Sequence, residues 1–271
     1  MAKDLAESLP AAVEDRRPAR RRTMLRGRFL AAYVVLGLLA GATVAGAFVL
    51  FTEVQRDPNV GWADWHPVGD DATWGKQIAD HVGRRYRLPD GDQIVGVVAG
   101  PPEVQTPNGP TVKVAAVFIR SPNSESEDDI KALDTDDSYM YLLCGLGSSC
   151  TVRGTASEER HRLLRREALE LALYTFKYLG DVKTVIALLP PENAQKLPTA
   201  VFLEREDLDA ELDRPLENTI GRPDTETVVA VPELETVRVD RLTLPFVFDY
   251  SFEGLPNQTA ALILAPVKPG E

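Results

Sequence analysis

The sequence predicts an α/β or α+β domain on a mixed sheet, preceded by a single transmembrane helix. Three observations carry this. The stretch from Phe29 to Phe51 contains no charged side chain. A strand, a long helix and a second strand follow one another between Tyr139 and Leu189. Near the C-terminus Phe246, Phe248, Tyr250 and Phe252 alternate with Val247, Asp249, Ser251 and Glu253.

At about 1.5 Å per helical residue, the uncharged run is long enough to cross a hydrocarbon layer of roughly 30 Å. Arg16, Arg17, Arg20, Arg21, Arg22, Arg26 and Arg28 crowd its N-terminal flank, whereas Glu53, Arg56 and Asp57 beyond it nearly cancel. Positive charge stays on the cytoplasmic side. The expectation is a basic cytoplasmic tail over 1–28, a membrane helix over 29–51, a linker over 52–61 and an extracytoplasmic domain over 62–271. A cleavable signal would need a shorter apolar core than one that continues past the small residues Ala45-Gly46-Ala47. Arg21, Arg22 and Leu25 resemble a twin-arginine export signal, a pattern that arginine-rich flanks also produce by chance. Gly37 and Gly41 have the spacing that lets two membrane helices approach closely, a candidate for self-association against the plainer reading that glycine is common in membrane helices.

Charge divides at the same boundary. Over 1–28, eight basic side chains stand against four acidic ones, net +4, and the remainder is −15 within a total of −11. An acidic body argues against binding nucleic acid, which needs its phosphates neutralised by Lys and Arg. The expected partners are the cell membrane and other envelope proteins. Abundant Ala, Arg and Leu suggest a bacterial source.

Trp62, Trp65 and Trp74 are the only tryptophans and sit close together in the chain; an interfacial aromatic belt and core packing both explain the first two. Trp74, Ile78, Val82 and Tyr86 have helical spacing. The segments 93–99 and 112–119 are β-branched runs joined by GPPEVQTPNGP, which predicts an N-terminal hairpin. Seven acidic residues between Glu125 and Asp137 predict a mobile acidic loop over 121–138. Its DTDD lacks the final glutamate of a calcium loop, since Gly145 stands there.

The stretch 139–143 then predicts a strand, 157–179 a mostly buried helix and 184–189 a parallel strand, together a right-handed βαβ crossover. Thr155 with Glu158 fits a capping box, and Gly180 a C-terminal cap. Arg166, Glu170 and Lys177 form a narrow polar stripe on that helix, with Glu158, Glu159, Glu167 and Glu170 read as solvated. Segment 200–203 predicts a further strand, 206–220 a helix broken by Pro215, and 237–242 a segment pairing with the sheet. The aromatic alternation turns at GLPN into 259–264, a C-terminal hairpin.

Chemical motifs are few. His66, His81 and His161 have no metal-ligand spacing, so no metal is expected, and His161 is read as exposed. Nothing calls for a cofactor. The loop after the strand at 139–143 reads CGLGSSC and holds the only two cysteines, Cys144 and Cys150. Its Gly145-Leu146-Gly147-Ser148-Ser149 lacks both the second glycine of a nucleophile elbow and the lysine of a phosphate loop. Gly145, Gly147, Ser148, Ser149 and Arg153 remain a candidate ligand loop, against the plainer reading of a flexible connection. Outside the cytoplasm two cysteines at short range are expected to bridge, a clamp worth about 2 kcal/mol. The sequence thus predicts a single-pass, non-catalytic binding or scaffold module of the envelope. A membrane-tethered hydrolase or transferase on envelope substrates and a small-ligand sensor domain are the alternatives.

Overall fold

In the computed structural model, the described residues are 61–106, 109–120, 130–145, 157–191, 198–221 and 227–267. They build a mixed α/β domain around a nearly closed sheet. Its strands are β1 (Gly96–Gly100), β2 (Glu103–Gln105), β3 (Thr111–Arg120), β4 (Ile130–Asp134), β5 (Ser138–Cys144), β6 (Thr184–Leu189), β7 (Thr199–Glu204), β8 (Val247–Leu255) and β9 (Thr259–Pro266). The spatial order is β1-β5-β6-β7-β8-β9-β3-β2, with β4 also on β3. β5 pairs β6 and β3 pairs β9 in parallel; the other pairs are antiparallel. Near-closure comes from one short connection. β1 hydrogen-bonds β5 at one end of the order, the chain turns through Pro101-Pro102, and β2 hydrogen-bonds β3 at the other end.

Every residue of β6 is buried because both faces of the sheet are covered. Side chains alternate between faces along a strand. Val185, Ala187 and Leu189 join Tyr141, Leu143, Val201 and Leu203 in a core shared with a long helix, α2 (Glu158–Tyr178). Ile186 and Leu188 point the other way, into the curled sheet, beside Phe202, Val117, Leu262 and Leu264. Phe248, Tyr250 and Phe252 of the C-terminal hairpin close that second core, whereas Phe246 packs against the first.

The crossover β5-α2-β6 forms as the apolar pattern predicts. Its ends are held differently from the expectation. Ser157 caps the helix by accepting a hydrogen bond from the Arg160 backbone N–H at 3.2 Å, while Thr155 lies outside the described residues. At the C-terminus the cap residue is Leu179, and Gly180 keeps a negative φ. The guanidinium of Arg205, just past β7, donates instead to the carbonyls of Phe176, Leu179 and Val182 at 2.5, 2.9 and 2.8 Å.

Around α2 lie α1 (Trp74–Gly83), the short α3 (Asp209–Leu212) and α4 (Glu233–Thr243). α1 lies close because Gly75 leaves room: a Cβ there would collide with the hydroxyl of Tyr139.

Three expectations are corrected. The N-terminal hairpin does not form as predicted. Pro101-Pro102 redirects the chain so that β1 joins β5, and only Glu103–Gln105 pairs with the start of β3. Segment 237–242, expected to pair with the sheet, is helical, because Glu235, Val239, Leu242 and Thr243 are buried at helical spacing. Of the acidic segment 121–138, residues 130–134 are β4 and Ser138 opens β5; 121–129 lie outside the described residues. Asp134 accepts from the Asp136 N–H, Asp136 pairs with Lys113 and Asp137 with Lys183, so these acidic residues fix a turn.

Candidate functional site

The loop singled out in the sequence is described only at its edge. Cys144 ends β5 and is disulfide-bonded, and Gly145 follows it. Gly147, Ser148, Ser149, Cys150 and Arg153 lie outside the described residues, as do Gly37, Gly41 and the seven flanking arginines.

The polar residues that the structure does bring together sit on α2. Arg166 and Glu170, one turn apart, both have fully buried side chains (0% exposed), although helical spacing puts Glu170 on a solvated stripe. Arg166 donates to Glu235 Oε2 at 2.8 Å, to the Tyr86 hydroxyl at 2.6 Å and to the Gly221 carbonyl at 3.1 Å. Glu170 accepts from Arg85 at 2.6 Å through Oε1 and from the Tyr86 hydroxyl at 2.6 Å through Oε2. Burial opposes the charge on Arg166, but Tyr86, Glu170 and Glu235 more than offset it and hold its pKa high. Tyr86 is pushed well above the ordinary tyrosine value, first by burial. Both oxygens of Glu170 accept hydrogen bonds, and the cluster cross-links elements.

A second knot lies one turn earlier. Asp240 of α4 takes Arg165 at 2.7 Å and Arg162 at 3.1 Å, and Arg165 also reaches Thr243 at 2.6 Å. Burial raises the Asp240 pKa, but its two arginine partners outweigh burial and leave it below the usual carboxylate range. His161, expected on the surface, is buried with Nε2 3.1 Å from Thr199 Oγ1. Glu167 is buried as well, and neither of its carboxyl oxygens has a hydrogen-bond partner. Its sequence context predicts a solvated carboxylate; instead the tightness of the α2 packing encloses it.

Among the described residues, two cavities open beside α2. The larger, about 820 Å³, lies at its N-terminal end between segment 87–90, Ser157 and segment 229–231, with Arg160 and Leu163 in its wall. The smaller, about 270 Å³, is lined by Trp62, Trp65, His81, Arg85, Glu170 and Tyr174, with Asp64 and Glu217 also in its wall. Trp62 is 5% exposed, so core packing wins over the interfacial belt for that ring. Its ring meets Tyr174 edge-on at 5.4 Å, and Trp65 meets the same tyrosine at 5.5 Å. His81 stacks flat on Trp65 at 4.1 Å. Burial, then the charge of Arg85, lowers its pKa to about 4, so the imidazole is neutral at pH 7. The cluster of tryptophans was visible in the sequence. Tyr174, Tyr86 and Glu235 were not, because nothing local announces contacts between segments so far apart in the chain.

α4 carries the third feature. Leu234, Val237 and Leu244 are 94%, 78% and 55% exposed, with Val229 exposed nearby. No group of three or more His, Cys, Asp or Glu among the described residues is placed to hold a metal ion. No family model, curated protein or solved structure matches this chain.

Proposed function

We propose that this chain is a single-pass envelope protein whose outer domain is a non-catalytic module that docks other envelope proteins. The cytoplasmic tail, the membrane helix over 29–51 and the outward domain are part of the proposal, resting on the uncharged run and its arginine flank. Pairing of membrane helices through Gly37 and Gly41 belongs to it too, as does the Cys144–Cys150 bridge in an oxidising space.

The observation that carries docking is the apolar face of α4. Leu234 and Val237 stand one turn apart with almost no protein over them, while the same helix buries Glu235 and ties Asp240 to two arginines. A helix held by one buried side, with further apolar residues turned outward, matches the anchor pattern of helix-mediated recognition.

A photo-crosslinking residue at position 237 of the full chain, expressed in its own host, tests this. A discrete crosslinked species, digestible by protease added outside intact spheroplasts, is expected. Leu234→Asp in the same chain should weaken it at least tenfold without moving Tm by more than about 2 °C, this being a surface position. Recovery of uncrosslinked protein alone, or protection of the outer domain from the protease, overturns the reading.

A further inference from the structure

The outward face of α4 carries a charge pattern as well as apolar anchors. Resting on the docking reading of that face, we propose that one of its occupants is a second copy of this chain, whose α4 packs against it antiparallel about a two-fold axis.

Spacing is the first ground. Leu234, Val237 and Arg241, with Leu244 just past the helix end, follow one another at intervals of three, four and three residues. That is the seam of a helix that lies along a second helix. All four are exposed, while Glu235, Val239, Leu242 and Thr243 bury the opposite side in the domain.

Charge is the second. Glu233, Val237 and Arg241 form a row at steps of four, so an acidic, an apolar and a basic position follow along the outward side about 6 Å apart. Glu233 is exposed and makes no ion pair among the described residues. Arg241 is 64% exposed and reaches Glu211 only at 3.4 Å, long for a charged pair, and Glu211 already has Arg214 and Thr219. The remaining charged groups of α4 are committed within their own domain: Glu235 to Arg166, Asp240 to Arg162 and Arg165, Arg238 to the Thr219 carbonyl.

These two charges select both the occupant and its direction. A parallel second α4 would set Glu233 against Glu233 and Arg241 against Arg241. An antiparallel one, with the two-fold axis at Val237, sets each Glu233 against the other copy's Arg241 and Val237 against itself, with Leu234 beside it. A two-fold interface requires this kind of self-complementary surface. An 11-residue helix presents less than the roughly 1,200 Å² of a stable interface, so the pairing is weak in dilute solution and depends on copies confined to one membrane. One α4 cannot hold a second copy and another envelope protein at once. Self-pairing therefore keeps the docking face covered until a partner displaces it.

The test places cysteine on the axis. Full-length Val237→Cys, in membranes of its own host and oxidised with copper phenanthroline, should form a reducible dimer at least tenfold more than Val68→Cys, another exposed valine. Adding Glu233→Arg, which opposes like charges across the axis, should cut the Val237→Cys dimer at least fivefold. Glu233→Cys and a differently tagged Arg241→Cys, expressed together, should crosslink to each other at least fivefold more than either does to itself. A Val237→Cys dimer no stronger than that of Val68→Cys, one indifferent to Glu233→Arg, or self-crosslinking of Glu233→Cys that equals the mixed product overturns the pairing. The two readings fail separately. A photo-crosslink from position 237 to a different protein without a Val237→Cys dimer removes self-pairing and leaves docking, and the dimer without that crosslink does the reverse.

Discussion

Glu167 is a carboxyl group enclosed by its own helix packing, with both oxygens unpartnered. Burial raises its pKa well above the ordinary value, and the negative charge of Glu170 adds to the shift. An unfolded glutamate loses its proton near pH ~4.3, and in the fold this one holds it to higher pH. Its stabilising share is therefore complete below that pH and declines as pH rises towards the folded value, by about 1.4 kcal/mol per unit. Glu167→Gln has no proton to lose. Measured from pH 4 to pH 8, its Tm relative to the parent should show no advantage at the acid end and climb as the pH rises. A difference constant across that range would mean that Glu167 ionises in the folded protein. The sequence hid this residue because a glutamate between two arginines and an alanine reads as a solvated helix position, and only the packing around α2 removes the water.

At the scale of elements, local pattern was a good guide where an element's burial is written in its own consecutive residues. The strand Thr184–Leu189 is legible to the residue and α1 begins where its apolar spacing begins, because an apolar run or a helical repeat is written in consecutive positions. Periodicity failed where the decisive partner is distant. β1 pairs with β5, from which β2, β3 and β4 separate it in the chain, and nothing in the β1 sequence distinguishes that strand from β3. The end of α2 is another case. Gly180 has the right identity and place for a cap, yet the last carbonyls are taken by Arg205. Arg205→Met should leave those acceptors poorly satisfied, at a cost on the order of 2–3 kcal/mol. Hydrogen exchange should accelerate around 176–182 far more than around 163–170. Equal protection in both stretches would refute the cap.

Over the whole molecule, the Arg166 cluster joins α2 to the segment after α1, to Gly221 and to α4. A buried ion pair adds little against an apolar replacement, but breaking one by removing a single partner is costly. Arg166→Met strands Glu235, and denaturant unfolding should show a loss of about 3–5 kcal/mol. Arg166→Met with Glu235→Leu should recover at least half of it, since Arg85 and Tyr86 still hold Glu170. A double variant no better than the single one would place the cost in lost packing rather than in the stranded charge.

By itself the sequence determined the change of net charge across the uncharged run, the β5-α2-β6 crossover and the aromatic hairpin, because charge, hydropathy and short-range period are properties of neighbouring residues. It also marked the tryptophan cluster, though not its packing against Tyr174. Only the tertiary structure decided that the sheet nearly closes, that α2 carries buried charges, that α4 turns Leu234 and Val237 outward, and that Trp62, Trp65 and Tyr174 wall one cavity. Each of these depends on which distant surface covers a given side chain. Burial, unlike periodicity, is fixed by the packing of the whole chain.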